Sequence, residues 1–414
     1  MAFNQADRDF PKPQQIASIK NIEDAWNDSN DSKGTGSARG VDGETAYKFT
    51  GRLQTNFQEI RQQLVEGTYK FNKLRAFPVE KKPGKHRIIC IPTIRDRLVQ
   101  RLILRSLTWD SKRGKERDRL QTQTKISYGV RKGKEQSVHG AIKAAIKYRN
   151  QYGWVIKTDI SQFFDQIPRK KLKKLVSARL GTSSLVPLIN KAIDCELETP
   201  KDDDLQDIIN TNGIKPKVGL RQGMPLSPLL SNLILNKFDR KAERKGLKLI
   251  RYADDIIAFA SNETEAEEIF AFIDAELRKI ELGVPALGEG EKSEIVPPNK
   301  PVIFLGVSIY KKKNGQYDRK IPDATFEKAK DKVRDHKDLF WNLKKGYSYA
   351  DVVRRLKDIP EGYSSAFGDC TNLSSLLDLL KKESIEVKEY LISSIFGEEL
   401  YAGLSDEEKE FLGF

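Results

Sequence analysis

The tetrapeptide Tyr252-Ala253-Asp254-Asp255 sets two adjacent carboxylates between apolar runs, Leu249-Ile250-Arg251 before it and Ile256-Ile257-Ala258-Phe259 after it. Apolar runs on both sides of a short polar break describe a hairpin with the carboxylates at its turn. An Asp-Asp pair alone is ordinary turn chemistry. This pair has company. Trp154-Val155-Ile156-Lys157-Thr158-Asp159 is a second apolar strand ending on an aspartate, 95 residues before Asp254, and Ile160-Ser161-Gln162-Phe163-Phe164-Asp165 follows it at once. If the two strands converge, three carboxylates meet. Magnesium takes a few carboxylate oxygens plus substrate phosphates, and a pair of such ions stabilises both the attacking and the leaving oxygen of a phosphoryl transfer. Other candidates are weaker. Asp202-Asp203-Asp204 lies in a polar stretch and reads as a solvated loop, and Cys90, Cys195 and Cys370 are odd in number, widely spaced and without a CxxC pair, so they read as ordinary thiols.

The elements that must position these residues alternate in an α+β pattern. A short helix is expected over Ile16–Trp26, a mobile polar and glycine-rich loop over 27–37, and a helix over Thr45–Val65 closed by Gly67. Arg75–Val79 and Arg87–Ile91 read as a hairpin whose basic tip is Lys82-Pro83-Gly84-Lys85, and Arg95–Leu107 as an amphipathic helix with a cationic side. Beyond Trp154 the chain reads as a strand (Val155–Ile160), a helix-rich region (Arg169–Ile193), a polar excursion (Glu198–Lys217), a helix (Pro228–Lys245), a strand pair and a helix (Glu263–Ile280). A strand over Val302–Ile309 and one long amphipathic helix over 323–345 follow, the helix capped by Asp323, with Phe326, Val333, Phe340 and Leu343 on one face and Gly346 past its end. The acidic stretch from Glu398 to Phe414 reads as a partly ordered tail or a small helical cap.

Charge sharpens the picture once it is located. The 414 residues carry a formal +14, yet residues 81–150 alone hold 20 Lys/Arg against 5 Asp/Glu, an excess of +15, and the rest is close to neutral. One segment holding the whole excess fits a surface that tracks phosphates. No apolar run approaches the roughly 18 residues a membrane span needs, and the first residues lack the layout of a secretory signal, so a cytoplasmic protein with no membrane partner is expected.

With Tyr252-Ala253-Asp254-Asp255 and Asp159 in place, the remaining motifs make the resemblance specific. Gly40-Val41-Asp42-Gly43 resembles the N-terminal motif of group II intron and related bacterial reverse transcriptases, and Lys85-His86-Arg87 with Ile91-Pro92 resembles their fingers motif. Ser127-Tyr128-Gly129-Val130-Arg131 is similar to their Ser-Tyr-Gly-Phe-Arg, with Val130 in place of the aromatic. Gly219-Leu220-Arg221-Gln222-Gly223-Met224-Pro225-Leu226-Ser227-Pro228 resembles the Gln-Gly loop, and Phe304-Leu305-Gly306 the primer grip. The ordered series covers about residues 38–310.

The resemblance implies a right-hand polymerase: an N-terminal extension (1–75), basic fingers (76–153), a palm of antiparallel sheet and helices (154–310, with a fingers insertion near 170–218), and a helical thumb with a C-terminal tail (311–414). It implies two Mg2+ ions, replaceable by Mn2+, on Asp159, Asp254, Asp255 and the Ile160 backbone, with Asp165 structural. Lys85 and Arg87 would meet the incoming triphosphate, Phe164 would exclude a ribose 2′-hydroxyl, Gln222 would pack beside the nucleotide with Gly223 allowing close backbone approach, and Lys292 would protonate pyrophosphate. Arg131, Arg221 and Gly306 would contact template or primer.

Within the family, the sequence shows neither the Val-Thr-Gly thumb signature of retrons nor the departures from Arg-Gln-Gly usual in diversity-generating elements. It most resembles anti-phage defence-associated reverse transcriptases that work with a noncoding RNA. That resemblance implies dNTPs as substrates, a structured RNA template and a cDNA product. A maturase whose catalysis is secondary to RNA binding, and an RNA-dependent RNA polymerase, are the competing readings.

Overall fold

The structure, a computed structural model, describes residues 12–33, 38–82, 84–110, 115–129, 137–288 and 292–412. The chain forms two compact units, one of Met1–Ala141, Ile156–Ala258 and Thr264–Ile295, the other of Ile142–Val155, Phe259–Glu263 and Val296–Phe414. Among the described residues no helix is long and apolar enough to cross a membrane.

In the first unit the helix Ile19–Asn27 buries Ile22, Ala25 and Trp26, and the Trp26 ring stacks on Phe49 at 4.9 Å. The stretch expected as one helix over 45–65 is two, Ala46–Thr50 and Leu53–Glu66, interrupted at Gly51 and ended by Gly67 at φ 72°. The polar stretch expected to be a mobile loop holds a turn of 3-10 helix, Asn30–Lys33, with Asp31 only 4% exposed. What fixes it is charge. Arg97 grips Asp31 through Nε (3.1 Å) and Nη2 (2.9 Å), Arg101 adds a third bond at 2.6 Å, and Arg105 pairs with Asp28. These arginines lie on the helix Ile94–Thr108, which Thr93 caps by accepting from the Asp96 amide at 3.1 Å. The cationic side expected there is therefore neutralised from within, with Arg95 paired to Glu59 at 2.7 Å.

Strands Arg75–Lys82 and Lys85–Ile91 pair antiparallel, with a register shift between Glu80 and Lys82. One face of this hairpin enters a core of Leu74, Ala76, Ile88 and Cys90 against Cys195, Ile209 and Met224. Burial pushes the Cys90 and Cys195 thiols up to about 12, in keeping with ordinary packing thiols. The polar excursion carries a helix, Asp203–Thr211; Asp202 is its N-cap, accepting from the Asp204 amide at 3.0 Å, while Asp203 and Asp204 occupy its first turn, where carboxylates offset the helix dipole. The acidic triplet thus starts a helix rather than a loop.

Five strands form the sheet that carries the aspartates, in the order Ser127–Tyr128, Lys248–Tyr252, Asp255–Ala260, Trp154–Asp159, Glu294–Val296. The short edge strand Ser127–Tyr128 runs parallel to its neighbour, so the sheet is not wholly antiparallel. The helix Ser227–Arg244 is buried along much of its length, including the polar Asn232 and Asp239.

In the second unit the stretch expected as one strand over 302–309 is a hairpin, Val302–Phe304 with Val307–Lys311, joined to Tyr317–Lys320. Leu305 at φ 47° and Gly306 at φ 83° make the turn, the paired positive φ that tight hairpins demand. The long helix expected over 323–345 breaks into Asp323–Arg334, a 3-10 turn at Asp335–Lys337 and Leu339–Lys344. Asp338 caps the second piece by accepting from the Trp341 amide at 3.0 Å, and buried Asn342 locks the break by donating to the His336 carbonyl at 2.8 Å. The break turns Phe340 and Leu343 outward, to 82% and 60% exposure, where one continuous helix would have placed them beside Val333. The helix Leu373–Phe396 is tied to the first piece by a bidentate Arg334–Glu383 pair at 2.6 and 2.8 Å, and the short helices Glu398–Gly403 and Asp406–Phe411 follow it.

Candidate active site

Lys248–Tyr252 and Asp255–Ala260 form a hairpin whose turn is Ala253-Asp254. Ala253 sits at φ 54°, a left-handed conformation that costs a residue with a Cβ about 1 kcal/mol or more and persists only where the surroundings enforce it. The adjacent strand Trp154–Asp159 brings its terminal aspartate to the same end of the sheet, and the Ile160 amide donates to the Asp254 carbonyl at 3.0 Å. Adjacent strands thus do what the sequence pattern required: they bring Asp159 to Asp254 and Asp255.

The charges register this crowding. Burial, then the like charges of Asp254 and Asp159, push Asp255 up to about 6, with Lys157 and Lys292 pulling the other way. Lys292 donates to Asp159 Oδ2 at 2.7 Å, while Asp159 Oδ1 is buried and takes no hydrogen bond from any protein group. A buried lone carboxylate oxygen beside two further carboxylates fits a divalent cation. Among the described residues no three His, Cys, Asp or Glu side chains close on one point as a ready-made cage. Magnesium seldom needs one, since it binds one or two carboxylates and completes its shell with water and substrate phosphates.

The loop after Gly219 packs against Asp165 and the hairpin 75–91. A Cβ on Gly219 would fall 2.6 Å from the Asp165 carbonyl oxygen, and one on Gly223 2.5 Å from that of Cys90, so both positions demand glycine. The Gln222 carbonyl accepts from the Cys90 amide at 2.7 Å, which laces this loop to the hairpin 75–91. Phe164 is half-buried, its ring 5.3 Å from that of Phe163, and its carbonyl accepts from Leu220 at 2.7 Å. Burial pushes Asp165 up to about 6, opposed by Arg221, Arg87 and Lys81.

Lys85 and Arg87 are exposed on the hairpin. A residue that sequence reasoning missed stands with them. Burial and the positive charges of Arg87 and Lys292 lower Lys81, while Asp254 and Asp159 hold it up, which places its ammonium in the field of the carboxylate cluster. The sequence places Lys81 in the basic hairpin, but only the fold brings it within the field of Asp254 and Asp159.

Arg221 departs from expectation. Instead of meeting a template it is 2% exposed, donating to Glu196 Oε2 at 2.6 Å and to the Lys215 carbonyl at 2.9 Å. Arg169 binds the other oxygen of Glu196 at 2.6 Å, and although burial pushes Glu196 up, bonds from Arg221, the Lys217 amide and Arg169 hold it below its usual range. Arg221 is therefore a buried strut of the Gln-Gly loop. Arg131 lies outside the described residues, and Gly306 belongs to the second unit, at the hairpin turn described above.

Comparison with known proteins gives the family. Residues 79–309 match the family described as reverse transcriptase (RNA-dependent DNA polymerase). The chain is 27% identical over 352 residues to protein YkfC of Escherichia coli (strain K12), covering 74% of this chain and 84% of that protein. It is 27% identical over 225 residues to the group II intron-encoded protein LtrA of Lactococcus lactis subsp. cremoris, covering 53% of this chain, and it spans only 33% of LtrA. A solved chain of a partial Cas6-RT-Cas1–Cas2 complex aligns with 65% of this chain and 42% of its own length, at 26% identity and a TM-score of 0.37. On the match over residues 79–309, this chain belongs to the reverse transcriptase family.

Proposed function

We propose that the chain is an RNA-directed DNA polymerase that adds dNTPs to a primer end at Asp159, Asp254 and Asp255. The observation that carries this reading is the meeting of the Asp159 strand end with the Asp254 turn, tied by the bond from the Ile160 amide, within the field of Lys81. Bound Mg2+ would supply Lewis-acid stabilisation of the oxygens on which charge develops. The aspartates, with the Ile160 backbone, would hold it, and Mn2+ would substitute.

The primer 3′-oxygen forms a bond to the α-phosphorus and the bond to pyrophosphate breaks. Lys81, Lys85 and Arg87 meet the negative charge that grows on the leaving group. Lys292, 69% exposed at its side chain and paired with Asp159 at 2.7 Å, would exchange that carboxylate for pyrophosphate and give it a proton. Gln222 and Phe164 bound the sugar, and Phe164→Ala is expected to admit rNTPs about tenfold more readily in paired dNTP and rNTP incorporation assays.

We further propose the division into N-terminal extension, fingers, palm and thumb at 75, 153 and 310, a cytoplasmic location, and a structured noncoding RNA as template in anti-phage defence. The motif resemblance supports these readings. The test is to isolate the protein with its bound nucleic acid, supply Mg2+ and labelled dNTPs, and sequence the product beside an Asp254→Ala control. Aspartate-dependent DNA complementary to one co-purifying RNA is expected; bound RNA with no DNA product would overturn the polymerase reading in favour of RNA binding.

A further inference from the structure

We propose that Arg251 is a positioning residue for catalysis, a buried guanidinium that fixes the Ala253 carbonyl and so sets the turn presenting Asp254. The inference rests on the reading of Asp254 as a catalytic carboxylate.

Arg251 is fully buried, and all three of its side-chain nitrogens are engaged. Nε and Nη2 grip Asp239 at 2.8 and 2.5 Å, Nη2 also reaches Ser127 Oγ at 2.8 Å, and Nη1 donates to Asn232 Oδ1 at 3.1 Å and to the Ala253 carbonyl at 2.9 Å. Asp239, Asn232 and Ser127 are themselves buried. Balancing the Arg251 charge required only Asp239. The remaining bonds join three parts of the chain, the helix Ser227–Arg244, the edge strand Ser127–Tyr128 and the catalytic turn, at one planar group.

The turn needs such a brace for two reasons. Ala253 is held at φ 54° without being glycine, and adjacent strands bring the like-charged carboxylates of Asp254, Asp255 and Asp159 to one end of the sheet, where they repel one another. A turn carrying like charges and local strain relaxes outward unless something inside holds its carbonyl. The edge strand contributes twice more: the Arg251 amide donates to the Ile126 carbonyl at 2.8 Å, and the Tyr252 ring lies where a Cβ on Gly129 would come within 2.7 Å. The Ser127-Tyr128-Gly129 segment thus gains a role as backing for the catalytic hairpin. Because Asp239 neutralises Arg251, the guanidinium acts by placement, and lysine, a point donor on a flexible stem, cannot reproduce its fork.

The test compares Arg251→Lys, Ser127→Ala and Asn232→Ala with the wild type and with Asp254→Ala. It measures single-nucleotide extension (kcat and dNTP KM), Mn2+ binding to the protein by electron paramagnetic resonance, and the melting temperature. Arg251→Lys is expected to lower kcat by about 10²-fold with KM within about twofold, since a misplaced catalytic group costs rate rather than uniform binding. The Mn2+ midpoint is expected to rise several-fold, and Ser127→Ala and Asn232→Ala to shift both readouts the same way by smaller factors. A purely structural role would lower melting and leave kcat and the Mn2+ midpoint of the folded protein unchanged, and that result overturns the proposal. If Arg251→Lys fails to fold, the two single-bond variants decide on the same readouts. Activity surviving Asp254→Ala would break the assignment of the site itself, whereas an inactive Asp254→Ala beside a fully active Arg251→Lys breaks only the brace.

Discussion

Two hairpins carry the charge of this site, and they hold it in opposite ways. On 248–260 the carboxylates stand at a strained turn whose support is entirely buried: Arg251 and Asp239 are both 0% exposed. On 75–91 the cationic face is open to solvent, with Lys85 and Arg87 exposed and only the opposite face packed into the core around Ile88 and Cys90. Like charges brought together repel, so their placement must be enforced from the interior. Cations that meet a polyanion, the role proposed for Lys85 and Arg87, repel less when hydrated and lose that water only when the ligand arrives. On the proposed function, the difference is between a preorganised site and one completed by its substrate.

The largest effect is expected where the comparison is broken from inside. Asp239→Ala leaves the Arg251 guanidinium buried without its counter-ion and should cost about 3–5 kcal/mol of stability, read by denaturant unfolding. The reciprocal break on the other hairpin, Lys81→Ala with Arg87→Ala, should leave the unfolding midpoint nearly unchanged while raising the dNTP KM by about 10–100-fold, some 1.4–2.8 kcal/mol. A comparable loss of stability from this pair would show that the open face is structural.

Asp165, between the two hairpins in character, sharpens the contrast through pH. Its carboxyl is raised from 3.8 to about 6, chiefly by burial, so its contribution to stability is fully present below pH 3.8 and is lost as pH rises through about 6. Asp165→Asn should therefore stabilise the protein at pH 7.5, by about 1 kcal/mol after allowance for partial solvation, and bring no gain at pH 4. Paired thermal melts at the two pH values check the sign. The smallest effect is expected of Arg105→Ala: with its partners Asp28 and Asp24 half-exposed, the loss should be under about 1 kcal/mol, and RNA affinity at fixed salt should hardly move. A large fall in affinity would show that RNA displaces those acids.

The carboxylate site was readable because its signals are local. Apolar runs that end on aspartates define strands, and glycines at 219 and 223 mark backbone approaches that no side chain allows. The chain of motifs fixed the family before any coordinate did. Periodicity misled where local capping and turn bonds override it. The helix expected over 323–345 breaks because Asp338 caps and Asn342 bonds back to His336, and both are turn chemistry hidden inside an amphipathic pattern.

The sequence by itself determined the family, the three aspartates and the strands that deliver them, since strand patterning and carboxylate spacing are written along the chain. Only the tertiary structure decided what each arginine does. Arg221 and Arg251 became buried struts, and Arg97, Arg101 and Arg105 were neutralised by acids more than 60 residues away, while Lys81 came into the field of Asp254 and Asp159. The physical reason is that a cation's role depends on which anion reaches it first, and partners distant in sequence meet only when the chain folds.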